Sequence, residues 1–246
     1  NTQIHFKSSP LGRQSHGYKA NNAFLLNLRG KRVFIRSGRR DIYGSPHHTK
    51  WMFETKSDNA ILVNGLGQRP HAADATGCIT AFHTSDAFDA VTGEAGDSYD
   101  NLDRWTRRIL FFKPGVIVIH DLLEAPEPAT FQWLLHARAP FEIGENGTRW
   151  QGEPGTVQVR FLEPQGLEIA QTDVFDPPPY EWAGFDLHEW HLTAAAQEPV
   201  ARREFVTLIT IDDAACEAAL GPAQADTRTL ELQIGDAAIA VELGSK

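Results

Sequence analysis

The stretch RRILFFKPGVIVIHDLLEA, residues 107–125, decides the fold. Two apolar runs, each about as long as a β-strand, flank Lys113, Pro114 and Gly115. Proline sets the backbone angle that a tight turn needs, and glycine tolerates the unusual angles of the next position. The stretch therefore predicts a β-hairpin.

Short apolar runs separated by turn residues recur along the rest of the chain. They are AFLLNL, RVFIRS, NAILVNG, GCITAFHTS, DAFDAVTGEA, TFQWLLHA, TVQVRFLEP, LEIAQTD, EFVTLITID and TRTLELQIGDAAIAVEL. This spacing predicts an all-β fold, a large antiparallel β-sandwich of the supersandwich type, as one domain over residues 1–246. The exception is DDAACEAAL, which predicts one short helix near residues 212–220 because an Asp N-cap opens it and Gly221-Pro222 follows it.

The charge is distributed unevenly along the chain. Residues 1–56 hold eleven Lys or Arg and two acids, whereas residues 57–246 hold twelve basic and thirty acidic side chains, within a net charge of −9. A basic block on an acidic body indicates a local anion-binding face, unless the strands scatter these charges over separate faces. The block has no recognition-helix or RNP pattern, so we expect an acidic saccharide and no nucleic acid. No apolar run is long enough to span a membrane.

The sequence lacks the motifs of several common metal sites and catalytic nucleophiles. The two cysteines, Cys78 and Cys216, have no CxxC or CxxH company, which excludes a zinc ribbon and is more typical of separate thiols than of a disulfide. There is no GxSxG motif for a serine nucleophile. His47 and His48 are adjacent, so on a strand they would point to opposite faces rather than share a metal.

Polar side chains are dense between His16 and Gln68, which makes this segment the candidate site. Some can titrate or donate a proton, some can bind a carboxylate or sulfate, and some can hydrogen-bond an uncharged edge. In that order they are His16, Tyr18, His47 and His48; Arg36, Arg39, Arg40 and Lys50; and Asn21, Asn22, Asn59 and Asn64. The structural alternative is that such residues cap turns or solvate a sheet edge.

The segment from FKSSPLGRQSHGYKANNAF to ILVNGLGQ, together with RRILFFKPGVIVIHDLL and FQWLLHA, resembles the β-sheet domain of the heparinase II/III-like polysaccharide lyases over about residues 5–140. In that family this domain follows a helical toroid, and a uronate-containing polysaccharide binds between the two. The resemblance implies the β-sheet domain of a lyase that cleaves an acidic polysaccharide, a glycosaminoglycan or alginate, by β-elimination. It also implies a periplasmic or extracellular location, although the first residues lack a signal-peptide pattern. The partner would be the helical toroid, in the same protein or in another chain, and we do not expect this chain alone to be an active lyase.

The resemblance also suggests roles for individual residues. His16 matches the first histidine of a family His-x-His motif, which lies at the cleft, so we expect His16 to be catalytic. The polar loops that follow would line the cleft. The expected substrate-binding residues are Asn22, Arg39, Arg40, His47, His48 and Lys50.

The family's metal ligands are replaced at all three matching positions, by Tyr18, Arg36 and Asp58. Since an arginine cannot ligate a cation, we expect no metal and no other cofactor. We hypothesise instead that an Arg36–Asp58 ion pair, with the Tyr18 hydroxyl, ties together the segments that the metal would have joined. The alternative is that the site has decayed.

Two other functions fit the same residues. One is a non-catalytic sandwich that binds acidic saccharides or acts as a scaffold, which loss of the metal ligands favours. The other is a metal-dependent hydrolase built on His16, His47 and His48.

Overall fold

The computed structural model describes residues 1–9, 17–70, 72–181, 187–222 and 227–244, and these residues form a nearly all-β structure. The first strands are β1 (Thr2–Lys7), β2 (Ala23–Leu28), β3 (Lys31–Phe34), β4 (Ile61–Val63), β5 (Cys78–Thr84), β6 (Phe88–Glu94), β7 (Arg104–Phe112) and β8 (Val116–Ala137). The later strands are β9 (Phe141–Gly144), β10 (Gly147–Gly152), β11 (Gly155–Glu163), β12 (Glu168–Thr172), β13 (Trp190–Ile211), β14 (Cys216–Leu220), β15 (Thr227–Ile234) and β16 (Ala237–Gly244). The helical elements are short: a π-helical turn, His48–Met52, and two 3₁₀ turns, Thr55–Ser57 and Gly96–Ser98.

The predicted hairpin is present as β7 and β8, which pair antiparallel from Phe112 opposite Val116 to Arg104 opposite Glu124. Strand β8 is 22 residues long in all, extends past the end of β7, and pairs with the equally long β13. The first half of β8 has β7 on its other side, and the second half has β3 and β4. The hairpin is thus the centre of the 13-stranded sheet, and the other strands of that sheet pair with it either directly or through neighbouring strands.

The sheet folds onto itself around one large core. Strands β1 to β4 face β6 and β7, so that Phe24 and Leu26 share a cluster with Trp105 and Ile109. The two layers come close at Gly93, where an added Cβ atom would lie 2.7 Å from the Phe6 ring. Burial of aromatic and aliphatic side chains in this layer is the main stabilising contribution to the fold.

A second core lies on the opposite side of the hairpin. Strands β14, β15 and β16 form a separate three-stranded antiparallel sheet, and its Leu230 and Leu232 pack against Leu110 and Val118. Both faces of β7 and β8 are therefore buried, which explains the nearly continuous apolar runs of the hairpin sequence.

The helix predicted near residues 212–220 is wrong. Asp212 and Asp213 have φ of 51° and 55° and form a turn rather than a helix N-cap. The following residues Cys216–Leu220 are strand β14, in which alternate side chains are half-buried against the second core. Alternate burial needs a period of two residues, and pairing with β15 satisfies the backbone that a helix would have satisfied internally.

The described residues contain neither a disulfide nor a membrane-length helix. Cys78 is exposed and Cys216 is half-buried, and both are free thiols. None of the described helical segments is long and apolar enough to cross a membrane.

Candidate functional site

A buried ion pair fixes the base of the candidate site. Arg107 and Asp121 have fully buried side chains and form two charge-assisted hydrogen bonds, with Nε 2.6 Å from Oδ1 and Nη2 3.0 Å from Oδ2. The remaining Arg107 nitrogen, Nη1, donates to the carbonyl oxygens of Asn22, at 2.9 Å, and Asn59, at 2.8 Å. The pair therefore holds the segments that carry Asn22 and Asn59 against each other.

The side chain of Asn22 is buried and forms its hydrogen bonds inside the fold. Its side chain is fully buried, its φ is 57°, and its amide nitrogen donates to the carbonyl oxygens of Gly93 and Trp105 at 3.1 and 3.2 Å. Asparagine tolerates this left-handed backbone better than other non-glycine residues. The expected role of Asn22 in binding substrate stays a prediction.

Tyr18, Arg36 and Asp58 come together, as the sequence hypothesis required. Arg36 Nε lies 3.3 Å from Asp58 Oδ1 in an ion pair, and Arg36 Nη2 donates to the Ser57 hydroxyl at 3.3 Å. The guanidinium carbon lies 3.6 Å from the centre of the Tyr18 ring. Tyr18 therefore contributes the face of its ring, by a cation–π contact, rather than the hydroxyl that the hypothesis invoked.

Burial dominates the electrostatics of Asp58. The residue is only 2% exposed, and burial raises the pKa of its carboxyl group to about 6, against the opposing effect of Arg36 and Lys7. The Asp58 carboxyl group therefore titrates near neutral pH despite its ion pair.

These residues do not fit the metal site of the resembled family. The guanidinium of Arg36 lies against Asp58 and the Tyr18 ring, where it would repel a cation. Among the described residues, no three His, Cys, Asp or Glu side chains converge as a ligand set. We therefore assign no chemical step to a metal.

Two buried histidines lie directly beneath this ion pair. His136 Nε2 lies 3.2 Å from the Asp58 carbonyl oxygen, which can only accept, so this nitrogen carries the proton. His136 Nδ1 then accepts from Nδ1–H of His191 at 3.2 Å. This tautomer assignment leaves His191 Nε2 as a bare acceptor, and it has no hydrogen-bond partner among the described residues.

Both imidazoles are held neutral by their surroundings. Burial lowers the pKa of His136 well below its usual value, and the neighbouring His191 adds to the effect. Burial likewise lowers the pKa of His191 to about 4. The rings of Trp51 and Phe175 pack on His191 at centroid distances of 4.7 and 4.8 Å.

The structure places His47 and His48 in the interior rather than on the loop surface. His47 is fully buried, its Nδ1 donates to the Pro177 carbonyl at 2.9 Å, and His48 is 4% exposed with its ring against Phe53. Their expected contact with a polysaccharide stays a prediction. By contrast, Arg39, Arg40 and Lys50 are exposed, and His16 lies outside the described residues.

A basic groove of about 950 Å³ runs beside Arg36. Its floor is the outward face of β1 to β3, where His5, Leu25 and Asn27 lie, and its walls come from the segments around Gly38 and Glu189. Four arginines line it: Arg32, Arg36, Arg39 and Arg138. Such a concave surface suits a ligand with several carboxylate or sulfate groups.

Glu189 contributes structure rather than negative charge at the surface. It is 4% exposed, and its Oε2 accepts the Gly38 N–H at 2.6 Å. Burial raises the pKa of Glu189, while the hydrogen bonds from Gly38 and Ser37 lower it. The bond joins the two walls of the groove.

Sequence reasoning missed part of this groove. His5, Arg138 and Glu189 were not recognised, because three strand pairings bring them to the groove: β1 with β2 for His5, β3 with β8 for Arg138, and β13 with β8 for Glu189. The one available signal was the position of Arg138 directly after the strand TFQWLLHA.

The comparisons with known proteins agree with this architecture. The family model for the heparinase II/III-like C-terminal region matches residues 1–178. No curated protein sequence matches the chain. Among solved structures, a heparinase III gene product superposes with a TM-score of 0.80 at 14% identity, and the heparan sulfate lyase HepC from Pedobacter heparinus with a TM-score of 0.76 at 15% identity.

Both superpositions cover 99% of this chain but only 39% of the other protein. At this level of identity they show a shared fold. The chain spans about two fifths of the length of these relatives, and the family match covers well over half of its own residues. The chain therefore belongs to the heparinase II/III-like family and corresponds to its C-terminal β-sandwich domain.

Proposed function

We propose that this chain is the β-sandwich part of a polysaccharide lyase and forms one wall of its substrate cleft. The substrate would be a uronate-containing acidic polysaccharide, cleaved by β-elimination. The observation that carries the proposal is the groove with four arginines on a chain whose net charge is −9. A positive concave surface on an acidic protein favours an anionic ligand at that surface.

The groove supplies one of the three requirements of a β-elimination. The uronate carboxylate has to be neutralised so that the C5 proton becomes acidic, a base has to remove that proton, and an acid has to protonate the departing O4. Arginine side chains such as Arg36 and Arg39 can bind the carboxylate or a neighbouring sulfate. His16 is the proposed catalytic residue of this chain, and a helical toroid domain would supply the other groups.

The chain spans 39% of its structural neighbours, so this activity belongs to a longer protein or a complex. We expect a periplasmic or extracellular location, where such polysaccharides are met. His136, His191 and the Arg107–Asp121 pair are buried, so in this proposal they position the base of the site and do not contact the substrate.

A second candidate function is a sandwich that binds acidic polysaccharides without taking part in catalysis. One observation favours it: Tyr18, Arg36 and Asp58, which the resemblance matches to the family's metal ligands, form a cluster of their own. Both candidates use the basic groove, and they differ in whether His16 is needed for turnover.

A lyase assay separates the two. The ultraviolet absorbance of the unsaturated uronate would be followed with the full-length protein and with this chain alone, on alginate, heparan sulfate, hyaluronan and chondroitin. We expect activity in the full-length protein, little in this chain, and loss of activity in His16→Ala with binding retained. Binding without activity in the full-length protein would favour the second function, and absence of both would contradict the whole proposal.

A further inference from the structure

Two tyrosine side chains outside the lining of the basic groove are strongly exposed to solvent. Tyr43 is 74% exposed and Tyr180 is 63% exposed, on two loops that are far apart in the sequence. Arg39, which lines the groove, lies two residues before Asp41, at the start of the first of these loops. Tyr43 is therefore only four residues along the chain from a side chain that lines the groove.

A single carboxylate joins the two loops. Asp41 Oδ1 accepts the Ser45 hydroxyl at 2.5 Å, and Asp41 Oδ2 accepts the backbone N–H of Tyr180 at 2.9 Å. Partial burial acts against the charged carboxylate, but these hydrogen bonds hold the pKa of Asp41 below its usual value. Asp41 is thus ionised near neutral pH and keeps Tyr180 next to the Tyr43 loop.

The Tyr43 loop is also supported from below. The Tyr43 ring contacts the ring of the buried His48, with centroids 5.2 Å apart, and His48 packs in turn on Phe53 at 4.7 Å. His48 Nδ1 accepts the Gly44 N–H at 2.9 Å. Because the ring and its backbone are already held, the binding of a ligand to Tyr43 would cost the protein little additional conformational entropy.

The segment that carries Tyr43 also carries exposed cationic side chains. Arg39, Arg40 and Lys50 are exposed on the same segment as Tyr43. A matching ligand has repeated negative charges and flat apolar faces between them. Acidic polysaccharides have both features, since each sugar ring presents a face of C–H groups that packs on an aromatic ring, and the carboxylates or sulfates project outward.

We propose that Tyr43 and Tyr180 form a sugar-stacking subsite that continues the arginine groove, with Asp41 as the positioning residue that holds both loops. This inference rests on the proposed function and adds to it a salt-insensitive part of the binding. The arginines recognise charge, whereas the tyrosines recognise the sugar ring itself.

The test is the affinity of this chain for a heparan sulfate decasaccharide and a hyaluronan decasaccharide, measured by calorimetry at several salt concentrations. We expect Tyr43→Ala and Tyr180→Ala each to weaken binding about 3- to 10-fold. Tyr43→Phe and Tyr180→Phe keep the ring and should bind nearly as well as the parent. Phe82→Ala is the matched control, because Phe82 is 70% exposed on strand β5.

The salt dependence separates the two parts of the surface. Binding through ion pairs weakens steeply with salt, so Arg32→Gln should reduce the slope of log affinity against log salt, and the tyrosine variants should leave that slope unchanged. Asp41→Asn should weaken binding like the tyrosine variants while the melting temperature of the domain changes little. These results would support the subsite.

Other outcomes overturn it. If both tyrosine-to-alanine variants bind like the parent while Arg32→Gln binds weakly, the groove is the binding surface and the aromatic subsite is wrong. If the parent binds neither decasaccharide, nor alginate or chondroitin oligosaccharides of the same length, the proposed function fails and the subsite with it. If a single-stranded DNA oligomer binds more tightly than both decasaccharides and loses affinity in the tyrosine variants, the rings stack on bases and the saccharide assignment is wrong.

Discussion

Two arginine–aspartate pairs lie close together in this domain and are built differently. Arg107 and Asp121 are fully buried, and their two hydrogen bonds are supplemented by the indole N–H groups of Trp105 and Trp133, which donate to the same carboxylate at 2.8 and 3.2 Å. Arg36 and Asp58 meet at a single distance of 3.3 Å, and the Arg36 side chain is 20% exposed.

These differences indicate that the Arg107–Asp121 pair is structural, whereas the Arg36–Asp58 pair lies at the surface of the candidate site. Every hydrogen-bonding group of the Arg107 guanidinium that the structure describes goes to Asp121, Asn22 or Asn59, so this pair can only hold the fold. Arg36 faces the groove, and Asp58 behind it has a pKa of about 6. The second pair can respond to pH and to a bound anion, because its charges are incompletely compensated.

The largest expected effect comes from breaking the structural pair. Arg107→Met leaves Asp121 buried without its counter-ion, and we expect the free energy of unfolding to fall by about 3–5 kcal/mol. Urea denaturation would measure it. Arg36→Met is the matched control and should cost roughly 1–2 kcal/mol, because Asp58 can take up a proton once the guanidinium is gone. Equal losses in the two variants would contradict the distinction between the pairs.

The next effect is the loss of stability in acid. The folded-state pKa of His191 is about 4, below the usual value of 6.5, so protonation favours the unfolded chain as the pH falls below 6.5. Over the window from pH 6.5 to 4, this histidine should cost up to about 3 kcal/mol of unfolding free energy, and His136 should act in the same direction. His191→Phe should flatten this dependence.

The replacement is compatible with the aromatic surroundings of His191, where Trp51 and Phe175 pack. His83→Phe, on the exposed strand β5, controls for the loss of one imidazole. An unchanged slope in His191→Phe would show that the buried imidazole is not the group that titrates.

Asp58 should oppose the histidines. Its folded-state pKa of about 6 lies above the unfolded value, so its contribution to stability falls as the pH rises from about 4 to 6. Asp58→Asn removes this term, and the loss of stability on acidification should become steeper by roughly 1–2 kcal/mol over that window. Denaturation at pH 4, 5, 6 and 7 would measure the slope.

The matched control is Asp74→Asn. A hydrogen bond from Arg69 lowers the pKa of the Asp74 carboxyl group, so this residue cannot supply the opposing slope that a raised pKa gives. A slope in Asp58→Asn that is unchanged or shallower would mean that Asp58 stays charged over this window.

The smallest effect concerns the ring of Tyr18. Because the guanidinium of Arg36 lies 3.6 Å over the ring centre, Tyr18→Phe should change the unfolding free energy by less than about 0.5 kcal/mol, and Tyr18→Leu should cost about 1 kcal/mol. The two variants separate the ring contact from the hydroxyl contact that the sequence suggested. A larger loss in Tyr18→Phe than in Tyr18→Leu would favour the hydroxyl.

Much of the fold could be predicted because the hairpin strands are buried on both faces and read as continuous apolar runs. The length of β8 could not, since Pro126 and Pro128 interrupt it. In the structure both prolines lie at a register shift between β8 and β13, where their nitrogens need not donate a hydrogen bond to the neighbouring strand. The helix near residues 212–220 was predicted from an Asp N-cap and the Gly221-Pro222 stop, and contact with the second core overrode both signals.

The candidate site, like the fold, could be predicted from the sequence only in part. The cluster of Tyr18, Arg36 and Asp58 was recognisable because each change of residue type in a family motif has a chemical meaning. The burial of His47 was not recognisable, because the carbonyl group that accepts its hydrogen bond belongs to Pro177, which is 130 positions away. Arg138 joined the groove through strand pairing, which a single sequence does not reveal.

The most direct test of the account is whether the arginine groove binds an acidic polysaccharide. The affinity of this chain for heparan sulfate, alginate and hyaluronan would be compared with that of Arg32→Gln/Arg138→Gln, and with Arg149→Gln, whose side chain pairs with Asp213 away from the groove. We predict that the double variant loses at least about tenfold in affinity and part of its salt dependence, while Arg149→Gln binds normally. Equal binding by the double variant and the parent would contradict the central claim that this groove is the polysaccharide-binding wall.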